Sequence, residues 1–228
     1  FVDDNPAERE IVRAQVPGAA VPDMPIEPAY YARTIDRSGF FEITSLSEDD
    51  TKRTAMYQEN ARRAREEAAF ENYEDYLKAL YMKAEIKPFA PVYMARIAQL
   101  TNKSNQFNLT TRRYSQAEIE KLAADGNYIT LYGKLEDKFG DNGVISVVIG
   151  HQTGEVLHID LWIMSCRVLK RDMEYAMMDR LVEMAQEAGI SEIRGYYYPT
   201  AKNRMVKEFY SLQGFDKIEE DQQGNSQW

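Results

Sequence analysis

Cys166 is the one cysteine among 228 residues, and it stands in Ser165-Cys166-Arg167 with Lys170 and Arg171 close behind. A thiolate exchanges readily with thioesters, and neighbouring cations together with a helix N-terminus favour that thiolate. The opposite reading is a small buried hydrophobe at a strand end. In the preceding strand His158, Asp160 and Trp162 alternate, which predicts one shared face and offers His158 or Asp160 as a base or orienting group. A lone histidine there equally fits a satisfied structural role. A single cysteine excludes an internal disulfide, and with only His151 and His158 beside it there is no Cys/His metal spacing.

Asn105, Gln106, Asn108, Thr110 and Thr111 crowd polar groups into one loop. They suit reading the hydroxyls of a small acyl group or the amides of a pantetheine arm, and they equally suit capping and turn chemistry. Arg112-Arg113 and Lys170-Arg171 are candidate docking charges for an acidic partner. The run Arg62-Arg63-Arg65, interleaved with Glu59, Glu66 and Glu67, reads as a solvated helix face.

The elements that must position these groups begin with Phe1-Val2, read as the end of a strand, which implies a partner sheet before it. Asn5 as cap, Pro6 at the first position and Glu8 then open a helix. Five prolines and glycines between 17 and 28 make an extended connector. Helices follow: one opened by Ser47 and Asp50 and running to about Phe70, one from Asn72 to Lys83, and one begun by Pro88 and Pro91. Ser115 and Glu118 form a capping box for the next.

Strands at Tyr128 to Glu136, Val144 to Gly150 and Glu155 to Met164, with turns at Gly140-Asp141-Asn142-Gly143 and Thr153-Gly154, predict an antiparallel meander. A helix from Met173 to Ala188 carries Met173, Met177, Leu181, Met184 and Ala188 on one core-facing stripe. A strand at Glu192 to Tyr198, a short helix at Asn203 to Leu212 and a last strand after Gly214-Phe215 complete the chain. The expected fold is α/β, a mixed and mainly antiparallel sheet flanked by helices. The expected division is 1–40, a C-terminal remnant of an α/β domain; 41–87, a helical linker; and 88–228, the mixed domain.

A hydrophobic fraction of 44% is ample for a packed core. The net charge of −9 gives no basic field, so no nucleic-acid partner is expected. No apolar run approaches the roughly 20 residues of a membrane span, and the expectation is a soluble, cytoplasmic protein with no membrane partner.

The step from strand Glu155–Met164 through Ser165-Cys166-Arg167 to the methionine helix resembles the acyl-CoA loop of the GNAT acyltransferase superfamily, Arg/Gln-x-x-Gly-x-Gly/Ala. Arg167 matches its first position, while Lys170 and Asp172 stand at the glycine positions. Asn203, Phe209-Tyr210 and Gly214-Phe215 resemble that superfamily's ending. A wider resemblance rests on five motifs in order: Asp3-Asp4-Asn5-Pro6-x-Glu8-Arg9, the stretch from Asn102 through Asn105-Gln106-Phe107-Asn108-Leu109-Thr110-Thr111-Arg112-Arg113-Tyr114, Phe139-Gly140-Asp141-Asn142-Gly143, Ser165-Cys166-Arg167-Val168-Leu169, and Pro199-Thr200-x-x-Asn203. Together they look like the FkbH-like family of methoxymalonyl-acyl-carrier-protein biosynthesis.

That resemblance implies a haloacid-dehalogenase (HAD) type phosphatase joined to a GNAT-like domain. It implies a phosphorylated three-carbon acyl donor, and delivery of the glyceryl group to the phosphopantetheine thiol of an acyl carrier protein, with coenzyme A as the alternative arm. Asp3 and Asp4 would match the last acidic motif of the HAD part and its Mg²⁺; the earlier Asp-x-Asp motif is absent, so no phosphatase activity is expected from this chain. Cys166, Asp160 and His158 would be catalytic. Asn105, Gln106, Asn108, Thr110, Arg112, Arg167, Lys170, Arg171, Asn203 and Tyr210 would bind substrate or the phosphopantetheine arm. The rivals are a CoA-dependent N-acetyltransferase and a non-catalytic module that binds a carrier protein.

Overall fold

The structure, a computed structural model, describes residues 1–40 and 53–228. The predicted helix start at Ser47 and Asp50 lies outside the described residues. The chain forms two compact units, Phe1–Thr54 and Ala55–Trp228.

In the first unit, helix α1 (Pro6–Gln15) starts as the sequence predicts, with the Asn5 side chain accepting from the Ala7 amide at 3.0 Å. Phe1 and Val2 lie in no strand, contrary to the expected strand end. Residues 19–25 have no regular structure, as the prolines require, before helix α2 (Tyr31–Arg37).

The second unit opens within helix α3 (Arg53–Glu67), from Ala55 on, and continues with helix α4 (Tyr73–Ala79), the latter capped by Asn72. Strand β1 (Lys83–Lys87) follows, where the sequence reading continues a helix to Lys83 and a linker to 87. β1 pairs antiparallel with β3 (Tyr128–Asp137), so the sheet begins before residue 88. Helix α5 (Met94–Lys103), the two-residue β2 (Phe107–Asn108) and helix α6 (Gln116–Ala124) precede the meander of β3, β4 (Gly140–Thr153) and β5 (Val156–Met164). The capping box of Ser115 and Glu118 forms as predicted.

The first hairpin turns at Lys138 and Phe139, because Asp137 already faces Gly140. Gly140-Asp141-Asn142-Gly143 lies within β4 instead, beside a register shift between Lys134 and Glu136. Gly143 at φ 68 supplies the backbone such a bulge needs, and Asn142 donates to the Leu135 carbonyl at 3.2 Å.

Helix α7 (Met173–Glu187) crosses from β5 to β6 (Glu192–Arg194), the one parallel pair of a sheet ordered β1-β3-β4-β5-β2 with β6 also on β5. The chain continues through β7 (Tyr196–Tyr197) and helix α8 (Phe209–Leu212) to β8 (Glu219–Glu220) and β9 (Ser226–Gln227), which make a small second sheet with β7. The main sheet is therefore mixed and mainly antiparallel, flanked by helices, as the sequence predicts.

Each face of the sheet has its own core. α7 sets Met173, Met177 and Leu181 against Leu131, Val148, Leu157 and Trp162, while α5 and α6 set Ile97, Leu100 and Ile119 against Tyr132, Val147, Ile149 and Leu161. The buried stripe of α7 runs through Ala185 rather than Ala188, which is exposed. Gly133 permits this approach: a Cβ there would lie 2.5 Å from Met173 Cε. Among the described residues no helix is long and apolar enough to cross a membrane.

Candidate functional site

β5 leaves the sheet at Ser165, whose amide donates to the Ile145 carbonyl at 2.7 Å. A single 3-10 turn, Cys166–Val168, follows. Cys166 is exposed at its first residue, which removes the buried-hydrophobe reading of this thiol. Buried Ser165 accepts from Arg167 Nε at 3.2 Å and holds that guanidinium along the turn.

The loop then reaches the N-terminus of α7 through Lys170 at φ 64 and Asp172 at φ 58. These are the two positions where the superfamily pattern has glycine, and here ordinary side chains adopt the left-handed backbone at a cost of about 1–2 kcal/mol each. Tertiary contacts hold it: the Tyr73 hydroxyl donates to the Lys170 carbonyl at 2.7 Å, and Arg171 Nη2 donates to the Arg167 carbonyl at 3.1 Å. Arg171 is turned inward onto Asp137 at 3.0 Å and presents no charge to a partner, whereas Lys170 is exposed. Glu174, in the first turn of α7, has its carboxyl pushed up by burial.

The edge of β5 that turns away from β4 is occupied by the chain itself. Phe107 and Asn108 pair with Met164 and Ile163, the Leu109 amide donates to the Trp162 carbonyl at 3.1 Å, and the Tyr198 amide donates to the Leu109 carbonyl at 2.8 Å. The segment is thus wedged between β5 and the strand after Gly195. Asn108 is fully buried; its Oδ1 accepts from the Thr111 amide and its Nδ2 donates to the Ser104 carbonyl. Thr110 donates to the Asp160 carbonyl at 2.7 Å. The capping reading therefore accounts for Asn108 and Thr110. Asn105 accepts from Arg113 and is exposed, as is Gln106.

Asn203 is the pin of this wedge. Completely buried, it donates to the Asn108 carbonyl at 2.8 Å and the Tyr198 carbonyl at 2.9 Å, and accepts from the Thr200 amide at 2.7 Å. Tyr210 is interior as well, its ring against Gly195, with burial pushing its hydroxyl far up.

His158 and Asp160 do not share a face with Trp162. Ile149 faces Leu161 while Gly150 faces Ile159, so β5 carries one extra residue at Asp160, and the alternation reverses across it. Trp162 points into the α7 core. His158 Nδ1 lies 2.7 Å from the Tyr196 hydroxyl, and Asp160 Oδ1 lies 2.9 Å from Arg112 Nη1. Cys166 lies beyond the end of β5, in the turn after it, and no hydrogen bond or ion pair among the described residues joins it to His158 or Asp160.

Asp3 and Asp4 sit in the turn before α1. Asp3 accepts from the Asn5 amide at 2.9 Å, and buried Arg9 donates to both their carbonyls. Of the two carboxylates only that of Asp3 is engaged within this turn, and no group of three or more metal-type side chains occurs among the described residues. Sequence reasoning missed Tyr196, Tyr198 and Asp137; the Tyr196-Tyr197-Tyr198 triplet was the available signal for the first two.

No protein-family model matches this chain. No curated protein matches it either. Among solved structures it is similar to the GNAT domain of PAT from S. lividans, at 15% identity and a TM-score of 0.49, covering 63% of this chain and 88% of that one. It is also similar to Ard1 from Thermoplasma volcanium, at 17% identity and 0.47, covering 63% and 93%. A third is the PaiA N-acetyltransferase of Thermoplasma acidophilum in complex with coenzyme A, at 14% identity and 0.46, covering 64% and 97%.

Proposed function

We propose that this chain transfers a short hydroxylated acyl group, glyceryl first among them, to the phosphopantetheine thiol of an acyl carrier protein. The observation that carries the reading is the placement of Cys166, an exposed thiol at the mouth of the turn that opens onto the N-terminus of α7. The five motifs that resemble the FkbH-like family narrow the acyl group and its acceptor.

In this reading the Cys166 thiolate attacks the carbonyl carbon of the activated acyl donor, and the donor's leaving group departs with the electron pair. The carrier's thiolate then attacks the resulting thioester, the bond to Cys166 Sγ breaks, and the cysteine thiolate is restored. No redox change occurs. The N-terminus of α7, where Asp172 provides no side-chain cap, and the exposed Lys170 suit the phosphate of the arm. Because β2 fills the edge of β5, the arm lies over the loop rather than along the strand. Phosphate removal is assigned to no residue of this chain.

The test uses this chain, a glyceryl thioester of a small thiol as donor and a holo carrier protein as acceptor, read by intact mass. A glyceryl increment on the carrier that disappears with Cys166→Ala supports both reaction and residue. An increment that survives in the variant removes Cys166 from the mechanism. No increment, together with turnover of acetyl-CoA on amines, moves the assignment to N-acetyl transfer.

A further inference from the structure

Two departures from regular backbone converge on one pair of side chains. β5 bulges at Asp160, and Thr111 stands at φ 58, a left-handed conformation that is unusual for a β-branched residue. The Thr111 amide donates to Asn108 Oδ1 at 2.8 Å, which fixes the turn, and the turn delivers Arg112 to Asp160. Strained backbone of this kind gathers, like bulges, where a side chain must be aimed.

What surrounds the pair is polar and aromatic. His158 meets the Tyr196 hydroxyl, and Tyr114 and Tyr198 lie close enough to Arg112 to interact with it electrostatically. Both histidines of the chain belong to one row of the sheet, since His151 faces His158 and stacks on Tyr128 with centroids 4.8 Å apart. Burial pushes the Tyr114 and Tyr196 hydroxyls up, so both stay protonated and can donate. The Arg112 side chain is 47% exposed and that of Asp160 16%. Charge within the pair cancels, while Tyr198 Oη and His158 Nε2 make no hydrogen bond among the described residues.

We propose that Arg112, Tyr114, His158, Asp160, Tyr196 and Tyr198 form a second binding site, separate from Cys166, for a small neutral ligand that carries a carbonyl next to hydroxyl groups. The open N–H groups of the guanidinium suit the carbonyl, and the carboxylate, phenols and imidazole suit hydroxyls that both give and accept. A free carboxylate in the ligand would compete for Arg112 and leave Asp160 half-buried without its partner, which is costly. The ligand binds here whether or not Cys166 carries acyl groups.

The two histidines make the test clean, because nitrogen-labelled protein gives only two sets of imidazole signals. The chain is titrated with glyceramide, lactamide and acetamide at millimolar concentrations. The expected result is a saturable shift of the His158 signals, tightest with glyceramide, weaker with lactamide and absent with acetamide. Tyr198→Phe, at a residue 37% exposed, keeps the ring and should weaken glyceramide binding about tenfold, near the value of one hydrogen bond. Asp160→Asn should abolish binding and Cys166→Ala should leave it intact. An equal response to acetamide, no saturable shift with any amide, unchanged glyceramide affinity in Tyr198→Phe, or loss of the shift in Cys166→Ala overturns the proposal. The readout needs no acyl transfer, so failure of the reaction assigned to Cys166 does not decide it.

Discussion

Arg63 on α3 and Asp137 at the end of β3, 74 positions apart, form a two-bond ion pair, Nε to Oδ2 at 2.7 Å and Nη2 to Oδ1 at 2.8 Å. The Asp137 side chain is wholly shielded, and it also takes Arg171 from the loop after β5. One carboxylate therefore joins the helix before the sheet, the first hairpin and the loop beside Cys166. The expectation of a solvated Arg62-Arg63-Arg65 face is corrected at Arg63, which is buried.

Asp137→Asn should lower stability by about 3–5 kcal/mol near neutral pH, the usual cost of stranding a buried charge. Burial alone would push the Asp137 carboxyl up, but the hydrogen bonds from Arg63 and the Phe139 amide and the charges of Arg63 and Arg171 hold it below the ordinary carboxylate range. A carboxyl lowered in the folded state contributes stability above its unfolded pKa, and loses it as the pH falls from about 4 towards the folded value. Urea unfolding of both proteins across that range should show the gap between them closing with acid; a gap that is absent at neutral pH refutes the assigned role.

A fragment starting at residue 88, the boundary read from sequence, should fold poorly. It lacks β1 and strips Arg63 from Asp137, whereas a fragment starting at residue 55 keeps both. Near-ultraviolet circular dichroism and a cooperative melt should be native-like for the longer fragment alone. Equal melts for the two would show that α3, α4 and β1 add nothing.

Lys170→Gly should stabilise the chain by about 0.5–1 kcal/mol, because relief of a left-handed side chain exceeds the extra freedom of glycine in the unfolded state. Lys170→Val should destabilise it by about 1 kcal/mol or more, since a branched Cβ suits φ 64 worst. At this chain size the melting temperature should move roughly 2–4 °C per kcal/mol, upward for glycine and downward for valine. The opposite order would mean that the loop is not held in this conformation.

The sequence by itself determined the meander of β3, β4 and β5 with α7 after it, the capping box of Ser115 and Glu118, the start of α1 at Asn5-Pro6 and the core stripe of Met173, Met177 and Leu181. Each of these is local, written in the spacing of apolar residues or in a cap a few residues long. It also marked the strand-loop-helix step at Ser165-Cys166-Arg167. Only the tertiary structure decided that Cys166 is exposed, that Arg171 turns inward, and that Phe107–Thr110 fills the edge of β5, since each depends on which distant segment arrives alongside. The extra residue at Asp160 shows the reason most plainly. A one-residue bulge costs the sequence pattern nothing visible, yet it reverses every side chain beyond it, and so it separates His158 from Trp162 and gives Arg112 its partner.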